Sequence, residues 1–324
     1  MARLRYLGRK IAWLAITLYG VVTFNFVLFH VLPGNPVQLL VRSGHLTQQA
    51  QAAITRVYGL DHSLIVQYLI YLRDLLRGQL GLSYTFREPV STLLGQYLGN
   101  TVLLLAAATL LTIAMGVLVG VIAANRRGGR YDSTTVTASV IGWSLPTFWT
   151  GLILVFVFGV WLHAFPIFGS QTPNAVYSSF WVRYEDIAAH LFLPTLTLVV
   201  VNIAQFVLVA RVSVIEVLAE DFMLTARAKG LARRRILWSH AVRNALLPIV
   251  TSSALLIGLV VSGAIEVETV FSWPGMGRLV YNSVLNRDYP VIEGAFLVFA
   301  IVVLLVNFAS DLLYQALDPR VREA

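Results

Sequence analysis

The sequence predicts an all-α, polytopic membrane protein with six transmembrane helices. Three observations carry that prediction. Of the 324 residues, 57% are hydrophobic and only 12% are charged, against about 25% charged in a soluble globular domain. Mean hydropathy is +0.75, and the apolar residues gather into runs of about 20, the length that crosses a bilayer as a helix. The basic residues stand in short clusters at the ends of those runs. The net charge of +8 therefore speaks of membrane topology rather than of nucleic acid.

Each run can be justified in turn. Ile11–Leu32 is uncharged and follows Arg3, Arg5, Arg9 and Lys10. It exceeds the apolar stretch of about 7–15 residues found in a cleavable signal peptide, so it reads as a retained helix. Thr101–Ala124 is closed by Asn125-Arg-Arg-Gly-Gly-Arg130, and Thr134–Leu162 is interrupted at Ser144-Leu-Pro146. Leu191–Ala210, Ala245–Ile265 and Val291–Ser310 complete the six. Pro146 and Pro194 are expected to start or kink helices.

Arginine sets the orientation. With the N-terminus inside, the cytoplasmic segments carry four, three, seven and two Lys and Arg, sixteen of the chain's 24. The outer segments are longer in total and hold the rest, so the positive-inside rule places both termini in the cytoplasm. After the first run comes a long outer segment, Gly34–Gly99, with helical patterns over Leu46–Tyr58 and Ser63–Arg77. In the second, Leu64, Tyr68, Leu72, Leu75 and Leu76 repeat at helical spacing. An interfacial amphipathic helix and a contact surface for an outer partner both fit it.

Several chemistries are excluded. There is no cysteine, so disulfides and thiolate metal sites are absent. The two lysines, Lys10 and Lys229, precede Ile11 and Gly230, whereas a phosphate-binding loop needs Lys followed by Ser or Thr. Any nucleotide that drives this chain must bind another polypeptide. His30, His45, His62, His163, His190 and His240 show no metal-ligand spacing, and neither Ser144 nor Ser262 lies in a Gly-x-Ser-x-Gly frame. An intramembrane protease thus has no paired nucleophile and base, and a sensor would call for a cytoplasmic output domain.

The most informative segment is the basic loop between the fourth and fifth runs. Asp221-Phe-Met-Leu-Thr225-Ala226-Arg-Ala228-Lys229-Gly230-Leu231 is helix-forming, and His240-Ala-Val-Arg243-Asn-Ala follows. Asp221 is suited to cap a helix starting at Phe222, and Gly230 to the left-handed turn that ends it. Ala226 and Ala228 are small enough to let a partner surface approach. Arg227 and Lys229 favour the helix C-terminus and can pair with a partner's carboxylates.

This loop resembles the so-called EAA loop of ATP-binding-cassette import permeases, in the variant of the dipeptide, oligopeptide and nickel group. Leu32-Pro-Gly-Asn-Pro36, Gly78-Gln-Leu-Gly-Leu-Ser83, Phe271-Ser-Trp273-Pro274-Gly275-Met-Gly277, Arg287-Asp-Tyr-Pro290 and Asp311-Leu-Leu-Tyr through Asp318-Pro-Arg320 are similar to that group's motifs and stand in its order. Asn35 and Gln79 stand where the group usually has Asp, and Met223-Leu224 replaces a more polar pair. The long outer segment marks the B-type subunit.

The resemblance implies a type I ABC importer permease fold. It divides the chain into a first helix with its outer segment (1–94), the permease domain (95–315) with a coupling loop at about 213–244, and a short cytoplasmic tail (316–324). It also implies that the coupling loop docks in a groove of an ATPase subunit through Asp221, Thr225, Ala226, Ala228, Lys229, Gly230 and Leu231. Expected partners are a paralogous second permease subunit, two ATPase subunits holding ATP and Mg, an extracytoplasmic solute-binding protein and membrane lipid. No cofactor or metal is expected on this chain. Peptides are the cargo that the group suggests, with nickel, glutathione or another small solute left open.

Phe271 to Gly277 reads as an outer re-entry, with Phe271, Trp273 and Met276 as interfacial anchors. Its Pro274, Gly275 and Gly277 break the helix, and the segment either shapes the outer gate or touches the binding protein. Ionisable groups at membrane depth are costly. Glu266, Glu268, Glu293 and Asp311 are therefore candidates to line the solute path, or to pair structurally, for instance with Arg278 or Arg287.

Overall fold

In hydrocarbon each backbone amide needs a partner within its own segment, so uncharged runs fold as helices. The computed structural model describes residues 2–31, 62–246, 249 and 264–317, with side chains from 8 to 29 in the first stretch and to 309 in the last. The expected helix at Leu46–Tyr58 and most of the fifth run, Ala245–Ile265, lie outside the described residues.

The helices are α1 (Ala2–Phe26), α2 (Leu64–Leu76), α3 (Val90–Asn125), α4 (Arg130–Trp143) and α5 (Thr147–Leu154). After them come α6 (Phe180–Leu218), α7 (Asp221–Ala228), α8 (Arg233–Arg235), α9 (Met276–Leu285) and α10 (Tyr289–Leu317). Wider π-type turns extend α1 over Val27–Val31, α5 over Val155–Trp161 and α8 over Ile236–Ala241. The fold is all-helical; no β-strand occurs among the described residues.

Four helices are long and apolar enough to cross a membrane: Gly8–Phe29, Val90–Asn125, Phe180–Leu218 and Tyr289–Ala309. A fifth span results if α4 and the extended α5 count as one, although they bend by 103° between Trp143 and Thr147. Pro146, with no amide hydrogen, is the N-cap of α5 and explains that break. Pro194, by contrast, lies inside the continuous α6. At 39 residues, α6 is about 58 Å long and outreaches the roughly 30 Å hydrocarbon layer.

Two compact units divide the chain: Met1–Gly99 with Leu279–Leu304, and Asn100–Arg278 with Leu305–Ala324. In the first unit, Phe26 of α1 packs edge-on against Tyr68 of α2, with ring centroids 5.1 Å apart. Asn25 donates to the Glu293 carbonyl at 3.1 Å. Gly294 has no side chain because its Cβ would stand 2.8 Å from Val90 Cγ1. The expected helix around Ser63–Arg77 is present as α2, with Ser63 at its N-cap.

The second unit holds two hydrophobic clusters. One joins Leu104 and Ala108 of α3 to Leu193, Leu198 and Phe206 of α6, together with Phe271 and Trp273. The other joins Val121 and Ala124 of α3, Val214 of α6, Met223 and Ala226 of α7, and Ile236, Leu237 and Ala241. Close approach of α3 to α6 depends on glycine. A Cβ on Gly116 would meet Phe206 Cβ at 2.4 Å, and one on Gly120 would meet the Val207 carbonyl at 2.5 Å.

Candidate functional site: coupling loop and outer hairpin

The segment expected to couple, from Asp221 on, folds as two short helices about a glycine, as its sequence implies. Glu220, not Asp221, occupies the N-cap position, and its side chain makes no capping bond. Asp221 is instead the first helical residue, where its charge favours the positive end of the helix dipole. Two adjacent acids both suit a helix start, and the turn formed by Glu220 N–H on the Val217 carbonyl selects the first of them.

The helix ends as expected. Gly230 has φ +72°, a left-handed conformation that costs other L-residues about 1–2 kcal/mol. The Gly230 amide donates to the Arg227 carbonyl at 2.9 Å and the Leu231 amide to the Ala226 carbonyl at 3.4 Å, the paired closure of a Schellman motif.

The two faces of α7 differ. Ala226 is only 7% exposed and Met223 1%, so Ala226 is small in order to pack inside this chain and not to admit a partner. That corrects the expectation for Ala226. The outward face carries Phe222 and Leu224, 44% and 60% exposed, together with Asp221, Thr225, Ala228 and Lys229. Gly230 is exposed and Leu231 half-buried.

Two arginines fasten the loop to the helices above it. Arg233 donates through Nε to Asn125 Oδ1 at 3.2 Å and through a terminal nitrogen to the Asn125 carbonyl at 2.9 Å, at the end of α3. Arg227 reaches the Leu218 carbonyl at the end of α6 at 3.4 Å. Guanidinium groups at helix C-termini satisfy carbonyls that lack an intrahelical partner. Both arginines line a cavity of about 490 Å³ behind the loop, floored by Ala124, Leu218, Ile236 and Leu237.

The segment from Phe271 to Gly277 departs from its expected role. Phe271, Trp273 and Met276 are 1%, 0% and 0% exposed; they are core residues, not interfacial anchors. Trp273 Nε1 donates to the Asn100 backbone carbonyl at 3.1 Å, and the Asn100 side chain donates back through Nδ2 to the Pro274 carbonyl at 2.8 Å. Thr101 accepts the Met276 amide at 2.7 Å and donates to Glu268 Oε1 at 2.7 Å. Glu268 Oε2 accepts the Arg278 amide at 3.1 Å, and the Gly277 amide bonds to the same carboxylate. Glu268 and Thr101 together thus satisfy the open amides at the start of α9.

This arrangement explains both glycines. A Cβ on Gly275 would lie 2.2 Å from Glu268 Oε1, and one on Gly277 2.6 Å from Ile265 Cα. Of the acids proposed for the solute path, Glu268 is fully buried. It receives the Arg278 amide, while the Arg278 guanidinium turns to the Ser272 carbonyl at 2.6 Å. Glu266 is exposed and accepts the Phe148 amide at 3.1 Å. Glu293 is hydrogen-bonded by Tyr71; burial, reinforced by the Glu293 charge, pushes the Tyr71 hydroxyl up to about 12. The structure does not gather these acids into one site. Asp311 belongs to α10, with its side chain outside the described residues.

Two further pairings escaped the sequence reading. Asp288 is fully buried and gathers Ser83 Oγ at 2.5 Å and the amides of Tyr84 and Thr85 at 3.1 and 3.0 Å. Two of the resemblance motifs, some 200 residues apart, are therefore one structure. Asp132 of α4 and Arg211 of α6 form a two-pronged ion pair, Nε–Oδ1 at 2.5 Å and a terminal nitrogen to Oδ2 at 2.8 Å. An acid opening one apolar helix and an arginine within another was the available signal. Elsewhere, His190 is buried and bonds the Asp186 carbonyl at 2.8 Å. No cluster of metal-ligating side chains occurs among the described residues.

The sequence matches the family described as "Binding-protein-dependent transport system inner membrane component" over residues 116–323. The N-terminal component of the same system matches over residues 3–105. It is 37% identical to the di/tripeptide transport system permease protein DppB of Pseudomonas aeruginosa, covering 98% of this chain and 99% of that protein. It is 35% identical to the dipeptide permease DppB of Escherichia coli K12 over 98% and 99%. To the oligopeptide permease AppB of Bacillus subtilis it is 35% identical over 98% of each. Among solved structures, the inward-facing MetNI methionine ABC transporter shares the fold, with a TM-score of 0.57 and 17% identity over 70% of this chain and 96% of that chain. This chain belongs to the binding-protein-dependent transport family of inner membrane components: it is a multi-pass permease subunit of an ABC transporter.

Proposed function

We propose that this chain is the B-type permease subunit of an ATP-driven importer of di- or oligopeptides that depends on an extracytoplasmic solute-binding protein. The observation that carries the reading is the two-faced α7. Its inward face is locked to α3 and α6 through Met223 and Ala226, while Phe222, Leu224 and Ala228 stand exposed. A helix held rigidly on one side, with exposed apolar groups among charged ones on the other, is suited to take a load from a partner. The permease relatives in P. aeruginosa, E. coli and B. subtilis, whose names specify peptides, support the cargo.

In this reading six spans cross the membrane, with Ala245–Ile265 as the fifth and both termini in the cytoplasm. The permease domain runs over 95–315, after a first helix and outer segment at 1–94 and before a tail at 316–324. Two ATPase subunits bind ATP and Mg and grip the coupling loop of about 213–244. A paralogous permease subunit completes the path. Closure of the ATPases moves α7, and the spans switch access from the outer to the inner face. This chain performs no hydrolysis itself, since its two lysines lie outside any phosphate-binding frame.

The test is reconstitution with the second permease, the ATPases and a dipeptide-loaded binding protein in liposomes. Labelled dipeptide should accumulate only with ATP, and Leu224→Arg or Ala228→Glu should release the ATPases while leaving the chain inserted. Accumulation without any ATPase contradicts the proposal.

A further inference from the structure

The mechanical load placed on α7 has to reach the bent pair α4–α5, which packs along α6 but takes no part in the cluster beneath α7 itself. The cluster that seats α7 contains residues of α3, α6 and the 236–245 segment, but none of α4. What ties α4 there is Asp132, in its first turn. Asp132 is 4% exposed and binds Arg211 in two places, while its Oδ2 also accepts the Gly128 amide at 3.0 Å. It is the one ion pair between α4 and α6 among the described residues.

Position makes the pair a joint. Arg211 lies two turns before the end of α6, and only Ala219 and Glu220 separate that end from α7. Beside Arg211, α3 approaches so closely that a Cβ on Gly120 would meet the Arg211 amide nitrogen at 3.1 Å. Three helices thus converge where one guanidinium holds one carboxylate. A two-pronged Arg–carboxylate bond fixes orientation as well as distance, which greasy contact between smooth helices cannot do.

We infer that Asp132 and Arg211 are positioning residues of the transport cycle: their ion pair carries movement of the coupling helix from α6 to α4, and through the bend at 144–146 to α5. This rests on the proposed docking of α7 by an ATPase. It adds that hydrolysis and transport can be separated by a change that leaves docking intact.

The experiment uses the reconstituted complex and reads three quantities: ATPase co-purification, hydrolysis stimulated by the loaded binding protein, and peptide moved per ATP. Asp132→Asn, nearly the same size, should keep co-purification and hydrolysis close to normal and lower peptide per ATP about tenfold, within the range for changes along a coupling network. The exchange Asp132→Arg with Arg211→Asp should restore most of that ratio. If Asp132→Asn fails to assemble, Arg211→Lys, which keeps the charge but loses the two-pronged bond, gives the same reading. An unchanged ratio in these variants, with hydrolysis and uptake falling together, overturns the inference. Failure of the unmodified chain to hold an ATPase would instead overturn the docking reading beneath it.

Discussion

Replacing Gly275 with alanine puts a methyl group where the Glu268 carboxylate already stands. The new Cβ would lie 2.2, 2.3 and 2.4 Å from Oε1, Cδ and Oε2, so the carboxylate must retreat by more than 1 Å. It is not the loose end of a surface side chain. Glu268 is fully buried and tied to Thr101 at 2.7 Å and to the Arg278 amide at 3.1 Å. Losing one charged hydrogen bond costs about 1.5–3 kcal/mol, and overpacking a filled core adds about 1–3 kcal/mol. Gly275→Ala should therefore destabilise the second unit by roughly 2.5–6 kcal/mol.

Glu268→Asp, which withdraws the carboxylate by one methylene, should be harmful alone yet relieve Gly275→Ala. The double variant is expected to be more stable than the sum of the singles by at least about 1 kcal/mol, as for residues in direct contact. The assay is the rate at which detergent-solubilised protein loses its monodisperse elution peak on heating, since unfolding of such proteins is governed by rate. Wild-type persistence of Gly275→Ala, or strict additivity of the pair, refutes the buried-carboxylate account.

Other outcomes follow from the same geometry. Gly120→Leu should prevent α3 from seating on α6 and abolish accumulation of intact protein in the membrane, read by immunoblot, whereas Gly99→Ala on the same helix, with open space around its Cβ position, should accumulate. Gly230→Ala should cost about 1–2 kcal/mol for its left-handed backbone and speed proteolytic nicking of the coupling loop without preventing insertion. Asp288→Ala strands the Ser83 hydroxyl and the Tyr84 and Thr85 amides, so cleavage by added protease around residues 83–87 should rise sharply; Ser83→Ala, which leaves both amides paired, should have a smaller effect.

Four of the predicted spans and the break at 144–146 were legible because charge is excluded from hydrocarbon and proline cannot continue the hydrogen-bonded ladder. Gly230 was legible for a similar reason: one backbone conformation, one residue type. Facing was not. In a chain that is 57% hydrophobic, an aromatic such as Trp273 suits a lipid interface and a protein core equally, and only its bond to the Asn100 carbonyl decides. The eight residues of α7 span little more than two turns, too few to show that Ala226 faces inward and Leu224 outward. Asp132 and Arg211 are 79 residues apart, and nothing in the order of residues says that their helices adjoin. Glu268 stood out as a costly acid, but its partners are mostly backbone amides, which a sequence does not display.

The most direct measurement uses the natural absence of cysteine. A single Leu224→Cys, on the exposed face of α7, can be labelled with a membrane-impermeant maleimide in sealed vesicles of known orientation. Labelling should occur only from the cytoplasmic side and should be blocked when the ATPase subunits are bound. Labelling from the outer side, or equal labelling with and without the ATPases, would contradict the role assigned to the coupling loop.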